Sequence, residues 1–205
     1  VGARRALSGV LLAVVGLGAT LAQAQAPQAP DVAAKQWILM DLSTGQTLAE
    51  READAPSDPA SLTKLMTAYV VFQALRDKKI ALEQPMAVSE RAWNERKGDP
   101  SLMFINTTMR PTVDELLRGM IVQSGNDASI ALAELVAGSE LAFAERMNAE
   151  AARLGLPGTR FANATGLSHP QHYSTAADLA RLAAALIRDF PDNYQLYSLR
   201  EYRYN

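Results

Sequence analysis

The stretch Leu65-Met66-Thr67-Ala68-Tyr69-Val70-Val71-Phe72-Gln73-Ala74-Leu75 constrains this chain more than any other. Leu65, Met66, Ala68, Tyr69, Val71, Phe72 and Leu75 read as a buried helix, and a helix apolar on so many sides must be covered by other elements. Its head is Pro59-Ala60-Ser61-Leu62-Thr63-Lys64. Ser61 stands three residues before Lys64, and residues three apart on a helix share a face, so the two side chains can touch. Ser61 falls in the first turn, where free backbone N–H groups and the helix dipole favour negative charge.

That placement suits an acylating nucleophile. A serine hydroxyl needs a neighbouring base to take its proton. Lysine serves as that base only when neutral, and burial in a positive local potential favours the neutral form. Taken alone, Ser-x-x-Lys is short, and a helix-capping serine with a solvated lysine explains it equally well.

Composition narrows the classes without choosing among them. The chain has 205 residues, 48% hydrophobic and 20% charged, with a formal net charge of -2. That length suits one domain, or one domain and part of another, and the charge balance carries no signature of nucleic-acid binding. The absence of cysteine excludes disulfides, thiol chemistry and cysteine-ligated metal. Two histidines, His169 and His172, are too few for a histidine-rich metal site, and no cofactor is implied.

Residues 1–26 read as a secretory signal peptide. Arg4 and Arg5 form a positive head, Ala6 to Leu21 is apolar and uncharged, and Ala22-Gln23-Ala24 and Ala24-Gln25-Ala26 both fit a small-x-small cleavage site. An uncleaved membrane anchor is the alternative; either way the rest is expected to be exported, to the periplasm. A Pro/Ala linker occupies 27–35.

Further along, Trp37 to Leu42 and Thr47 to Glu50 flank Ser43-Thr44-Gly45-Gln46 and predict a β-hairpin. The helix beginning at Ser61 is expected to end near Lys78-Lys79. Residues 80–111 read as loops and short strands, with a strand at Met86-Ala87-Val88 and a short apolar strand or turn at Leu102-Met103-Phe104-Ile105, the latter run reading as core. Thr112-Val113-Asp114-Glu115 is a capping box for a helix over 113–122. Helices follow over 128–136, from the Gly138-Ser139 cap to about Leu154, and over 179–189, the last opened by Thr175-Ala176-Ala177-Asp178, which resembles a capping box with Asp in place of Glu, and closed by Pro191. Arg160 to Thr175 reads as a loop. Tyr202-Arg203-Tyr204-Asn205 reads as the opening of a strand.

A second polar cluster, Ser124-Gly125-Asn126, falls in the tight link between two of these helices. The glycine permits a sharp turn that can aim both flanking side chains at one point. Ser124 could relay a proton, and Asn126 could donate its amide to a carbonyl and orient Lys64. By itself the cluster is explained as well by a plain interhelical turn with capping roles.

Together, Ser-x-x-Lys at a helix start and Ser-x-Asn between helices form the pattern of penicillin-recognising serine enzymes. Pro59 to Thr67, Ser101-Leu102-Met103-Phe104, Leu117-Arg118-Gly119-Met120, Gln123 to Ala128, Asn163-Ala164-Thr165-Gly166-Leu167, Tyr173-Ser174-Thr175-Ala176 and Asp178-Leu179-Ala180 resemble low-molecular-weight penicillin-binding proteins of the D-alanyl-D-alanine carboxypeptidase type. The resemblance runs from about Gln36 to Asn205. It implies an α+β, β-lactamase/transpeptidase-like fold with a five-stranded antiparallel sheet flanked by helices. It implies the terminal D-Ala-D-Ala of the peptidoglycan pentapeptide stem as substrate and β-lactams as covalent inhibitors. By position it assigns Ser61 as the acylated nucleophile, Lys64 as its base, Ser124 as proton relay and Asn126 as substrate clamp, with the Ser61 N–H as half of an oxyanion hole.

The resemblance also implies a Lys-Thr-Gly motif on an edge strand, yet no lysine follows Lys97. The expectation is therefore a truncated chain, with 36–205 a partial catalytic domain lacking its C-terminal strands. A family C-terminal β-rich domain and membrane-associating amphipathic helix would lie beyond it. A class A β-lactamase shares the first two motifs but carries a deacylating glutamate in the comparable loop; Arg160 to Ser174 contains no carboxylate. An exported peptidoglycan-binding homologue without peptidase activity is the remaining alternative. His169 and His172 are read as loop residues near the cleft, with no catalytic role.

Overall fold

Asp41 starts a tight turn by folding its carboxylate back on the backbone. It accepts from the N–H groups of Ser43 (2.7 Å) and Thr44 (3.1 Å) and from the Ser43 hydroxyl. Gly45 completes the reversal at φ +72°. The strands it joins are β1 (Trp37–Met40) and β2 (Thr47–Arg51), antiparallel, with Trp37 opposite Arg51 and the register shifted between Leu39 and Met40. A computed structural model describes residues 31–95 and 101–204. Ala33–Asn205 forms one compact unit. The expected signal peptide and most of the linker lie outside the described residues.

The unit is built around α1 (Lys64–Arg76), whose Met66, Ala68, Tyr69, Val70, Val71, Phe72 and Ala74 are buried on nearly every side. Such a helix cannot lie on a surface. It is covered by α3 (Val113–Val122), α4 (Asn126–Ala137), α5 (Glu140–Arg153) and α6 (Ala176–Asp189), and α6 in turn carries the hairpin. α3 buries Val113, Leu116, Leu117 and Met120 at helical spacing. The Thr112 capping box is complete: the Thr112 hydroxyl accepts from Glu115 N–H and the Glu115 carboxylate accepts from Thr112 N–H at 2.8 Å. The hydroxyls of Ser139 and Thr175 likewise accept from the first turns of α5 and α6. Asp178, however, does not return to its cap. Its carboxylate accepts from Gly158 N–H (2.8 Å) and the Thr159 hydroxyl (2.7 Å), tying the loop after α5 to α6.

Several expectations are corrected. Ser61 lies in a 3-10 turn, Ala60–Thr63, that runs into α1, and α1 ends at Arg76 rather than Lys78-Lys79. Met86-Ala87-Val88 forms no strand: Pro85 and Thr112 make one isolated bridge, and Pro85 and Pro111 lack the N–H groups a longer ladder needs. A short helix, α2 (Glu90–Asn94), capped by Ser89, replaces the loop expected there. Residues 102–105 form neither strand nor uniform core. Leu102, Met103 and Ile105 are buried, but Phe104 is 71% exposed at φ +65°. α6 ends at Asp189 as expected, and Pro191 beyond it also opens α7 (Pro191–Tyr194), since proline suits a first helical position. Residues 201–204 are not a strand; Tyr202 and Tyr204 pack half-buried against the core. Among the described residues the sheet has two strands, not the five the resemblance implied. The architecture is nonetheless helices with a small antiparallel sheet, as an α+β reading requires.

Candidate active site

The 3-10 turn that carries Ser61 is set by its flanks. Asp58 accepts from Ala60 N–H at 3.0 Å, and Leu62 N–H donates to Pro59 O. Ala60 is held at φ +45°, an uncommon conformation for a residue with a side chain. Ser61 is left exposed, while Thr63 and Lys64 turn inward and are buried. The Lys64 Nζ lies 3.1 Å from Ser61 Oγ and 2.8 Å from the carbonyl oxygen of Thr165. The expected meeting of alcohol and amine three residues apart is thus present.

Ser124 reaches the same point from the other side. It sits at φ +55° in the link between α3 and α4, and its hydroxyl donates to Ser61 Oγ at 3.1 Å. Two features hold that link. Gly125 N–H donates to Gly119 O, and the Ser129 hydroxyl of α4 donates to Gly125 O at 2.8 Å. A side chain at Gly125 would lie 3.1 Å from Met103 N and from the Asp127 carboxylate, so these neighbours would have to give by a few tenths of an ångström. Asn126 opens α4, is buried, and donates its backbone N–H to Ser101 O at 2.8 Å. Asp127 beside it grips the preceding loop, its carboxylate accepting from Met103 N–H (2.9 Å) and Ile105 N–H (3.1 Å). With its neighbours pinned on both sides, Phe104 is turned out to solvent.

A third segment, which the sequence presents as plain loop, supplies the wall behind the lysine. The side-chain carbonyl oxygen of Asn163 accepts from Thr165 N–H (3.2 Å), Gly166 N–H (2.8 Å) and the Thr165 hydroxyl, folding residues 163–166 into a tight turn. That turn presents Thr165 O to Lys64 and Ala164 O to the Thr67 hydroxyl (2.7 Å). Gly166, at φ +90°, lies against the Ala60 carbonyl so closely that an added Cβ would fall 1.8 Å from its oxygen. Asp58 accepts from the Ser168 hydroxyl at 2.6 Å; this bond, with the Ala60 N–H, holds the Asp58 carboxyl below its ordinary range. The structure thus brings Ser61, Lys64 and Ser124 together and sets Asn126 two residues along from Ser124. His169 is exposed; His172 is buried and bonds to Thr63, a residue between Ser61 and Lys64 to which the sequence motif gives no role. The signal for the 163–166 turn was present in Asn163 and Gly166, an asparagine three residues ahead of a glycine.

An amine and two hydroxyls thus stand in one hydrogen-bonded row, Lys64, Ser61 and Ser124, a geometry in which an amine can take a hydroxyl's proton. The model of the D-alanyl-D-alanine carboxypeptidase family matches residues 23–205, and the chain belongs to that family. It is similar to D-alanyl-D-alanine carboxypeptidase DacC of Escherichia coli K12, 46% identical over 184 residues, covering 88% of this chain and 46% of the relative. Among solved structures it resembles penicillin-binding protein 5 from Haemophilus influenzae, with TM-score 0.84, 40% identity, 87% of this chain and 52% of that one. It also resembles penicillin-binding protein D2 from Listeria monocytogenes in an ampicillin-bound form, with TM-score 0.73, 28% identity, 83% of this chain and 69% of that one. The chain spans about half the length of the curated relatives it matches.

Proposed function

We propose that the protein is a serine-type D-Ala-D-Ala carboxypeptidase that removes the terminal D-alanine from peptidoglycan pentapeptides and is acylated by penicillins. One observation carries this reading: the row Lys64 Nζ, Ser61 Oγ, Ser124 Oγ, with steps of 3.1 Å and 3.1 Å, open to solvent at Ser61 and closed behind Lys64 by Thr165 O. Family membership and the ampicillin complex of a relative support the substrate and inhibitor classes.

Lys64 accepts the Ser61 proton in its neutral form, which withdrawal from water favours. Ser61 Oγ bonds to the carbonyl carbon of the penultimate D-alanine. The backbone N–H of Ser61, in the opening turn, is assigned to the developing oxyanion. As the C–N bond breaks, the proton passes from Lys64 by way of Ser124 to the departing amine of the terminal D-alanine. Water then cleaves the Ser61 ester, giving its proton back along the same row. Asn126 is assigned to the substrate amide, where a side chain that both donates and accepts fits a peptide group. With a β-lactam the broken C–N bond belongs to the ring, and the same steps leave a Ser61 ester. The segment 160–174 contains no carboxylate to act as the deacylating glutamate of a class A β-lactamase, which favours the peptidase reading.

The periplasm as the site of action, a peptidoglycan partner, and membrane attachment through a C-terminal helix belong to the same proposal. No helix among the described residues is long and apolar enough to cross a membrane. The test is D-alanine release from a peptide ending in D-Ala-D-Ala by the protein expressed from its complete reading frame. Release is expected, with its loss in Ser61→Ala. Equal release by that variant would overturn the assignment.

A further inference from the structure

His172 touches the nucleophile turn from behind through one ring nitrogen, and its other ring nitrogen makes a contact that depends on protonation. It is 4% exposed, and its two ring nitrogens meet different partners. Ala162 N–H donates to Nδ1 at 3.1 Å. A backbone N–H can only donate, so Nδ1 carries no proton, and in the neutral ring the proton is on Nε2. Nε2 lies 2.7 Å from Thr63 Oγ1, so it donates to the side chain directly ahead of Lys64 in the chain. Thr63 is fully buried, and the Phe161 ring stands edge-on to the imidazole at 5.7 Å, leaving little freedom to turn.

We infer that His172 is a positioning residue for the acyl-transfer row: its neutral imidazole braces the Ser61 turn by joining Thr63 to Ala162, and a proton on Nδ1 breaks the Ala162 end of that brace. The inference rests on the proposed reading of Ser61 as nucleophile. Protonation would set two N–H donors against each other across 3.1 Å, and Ala162 would have to withdraw. Ala162 is joined within three residues to Ala164 O and Thr165 O, which hold Thr67 and Lys64. Its withdrawal therefore reaches the amine as well as the serine turn. The charged and titratable groups around the ring are Asp58 from the turn's entry, which favours the imidazolium, and His169 from its own loop, which opposes it. Lys64 stands on the following helix. Burial is the largest influence and pushes the His172 pKa below its ordinary value.

Glutamine separates support from titration. In His172→Gln a side-chain carbonyl can accept from Ala162 and an amide N–H can donate to Thr63, with nothing to protonate. The measurement follows backbone amide resonances and the rate of covalent labelling by a fluorescent penicillin across acid to neutral pH. Both use the protein expressed from its complete reading frame. The amides of Ala162, Thr63 and Ser61 are expected to move with the His172 ring midpoint in the native protein and to stay still in the glutamine variant. One pH unit below that midpoint, native labelling is expected to have lost about tenfold more than the variant, because only about a tenth of the rings are then neutral. Superimposable labelling profiles, or Ser61 and Thr63 amides indifferent to the ring's titration, would overturn the inference. A protein that never labels at any pH overturns the acyl-transfer reading instead, and the amide titration alone then decides the brace.

Discussion

Replacing Gly166 by alanine should damage the site without touching any group that does chemistry. The added Cβ would lie 1.8 Å from the Ala60 carbonyl oxygen, 2.4 Å from its carbon and 3.0 Å from Thr63 Oγ1. Ordinary contact begins near ~3.5 Å, so the Ala60 carbonyl or the Gly166 backbone must retreat by more than about 1.5 Å. The backbone angle adds its own cost, since φ is +90° and a side chain there is unfavourable by roughly 1–2 kcal/mol. Overpacking adds about 1–3 kcal/mol, for a total near 2–5 kcal/mol of lost stability. Ala60 precedes Ser61 and Thr165 precedes Gly166, so the same displacement separates the Ser61 hydroxyl from the Lys64 amine. A shift of that size costs on the order of 10²-fold in rate. Gly138 provides the control. It has φ +80° with nothing within 4 Å of the position an added methyl would take, so Gly138→Ala isolates the backbone cost of about 1–2 kcal/mol. Urea unfolding and penicillin-labelling rates of both variants are the assay. The reasoning is refuted if Gly166→Ala labels unimpaired and its stability falls within about 0.5 kcal/mol of Gly138→Ala, the scale of ordinary surface changes.

Asp127→Asn should cost about 1–3 kcal/mol in urea unfolding, because an amide cannot accept from both Met103 and Ile105 without turning its own donors on one of them. Stability should also fall on the acid side in two stages. The folded-state pKa of His172 is depressed, so its contribution is complete above its ordinary value of 6.5 and declines as pH drops through the folded value. Asp58, held below its ordinary 3.8, follows the same sign at lower pH. Chemical denaturation at a series of pH values checks this, and His172→Gln should remove the upper stage only.

The parts of this molecule legible in its sequence are those whose signals are local. The all-round apolar run of α1, the Thr112 capping box and the Ser139 cap each contain their own physics within a few residues. The Ser61–Lys64 pair was legible for the same reason, being one helical turn apart. Ser124 could be placed beside them only through the joint pattern of two motifs. What stayed hidden depends on distant partners. Phe104 looks like core in a run of apolar residues, and only the Asp127 carboxylate, gripping the N–H groups on either side, turns it outward. His172 carries no spacing signal toward Thr63, more than a hundred residues away. Asp178 reads as a cap partner because nothing nearby in the chain shows that Gly158 and Thr159 will claim its carboxylate.

The central claim is that Ser61 is the group that becomes acylated, with Lys64 taking its proton. Mass spectrometry of the protein from its complete reading frame, digested after brief exposure to benzylpenicillin, tests it most directly. The account predicts one adduct of the whole antibiotic on the peptide containing Ser61, slowly lost, and none in Ser61→Ala or Lys64→Ala. An adduct on another serine, or one that persists in Ser61→Ala, would contradict it.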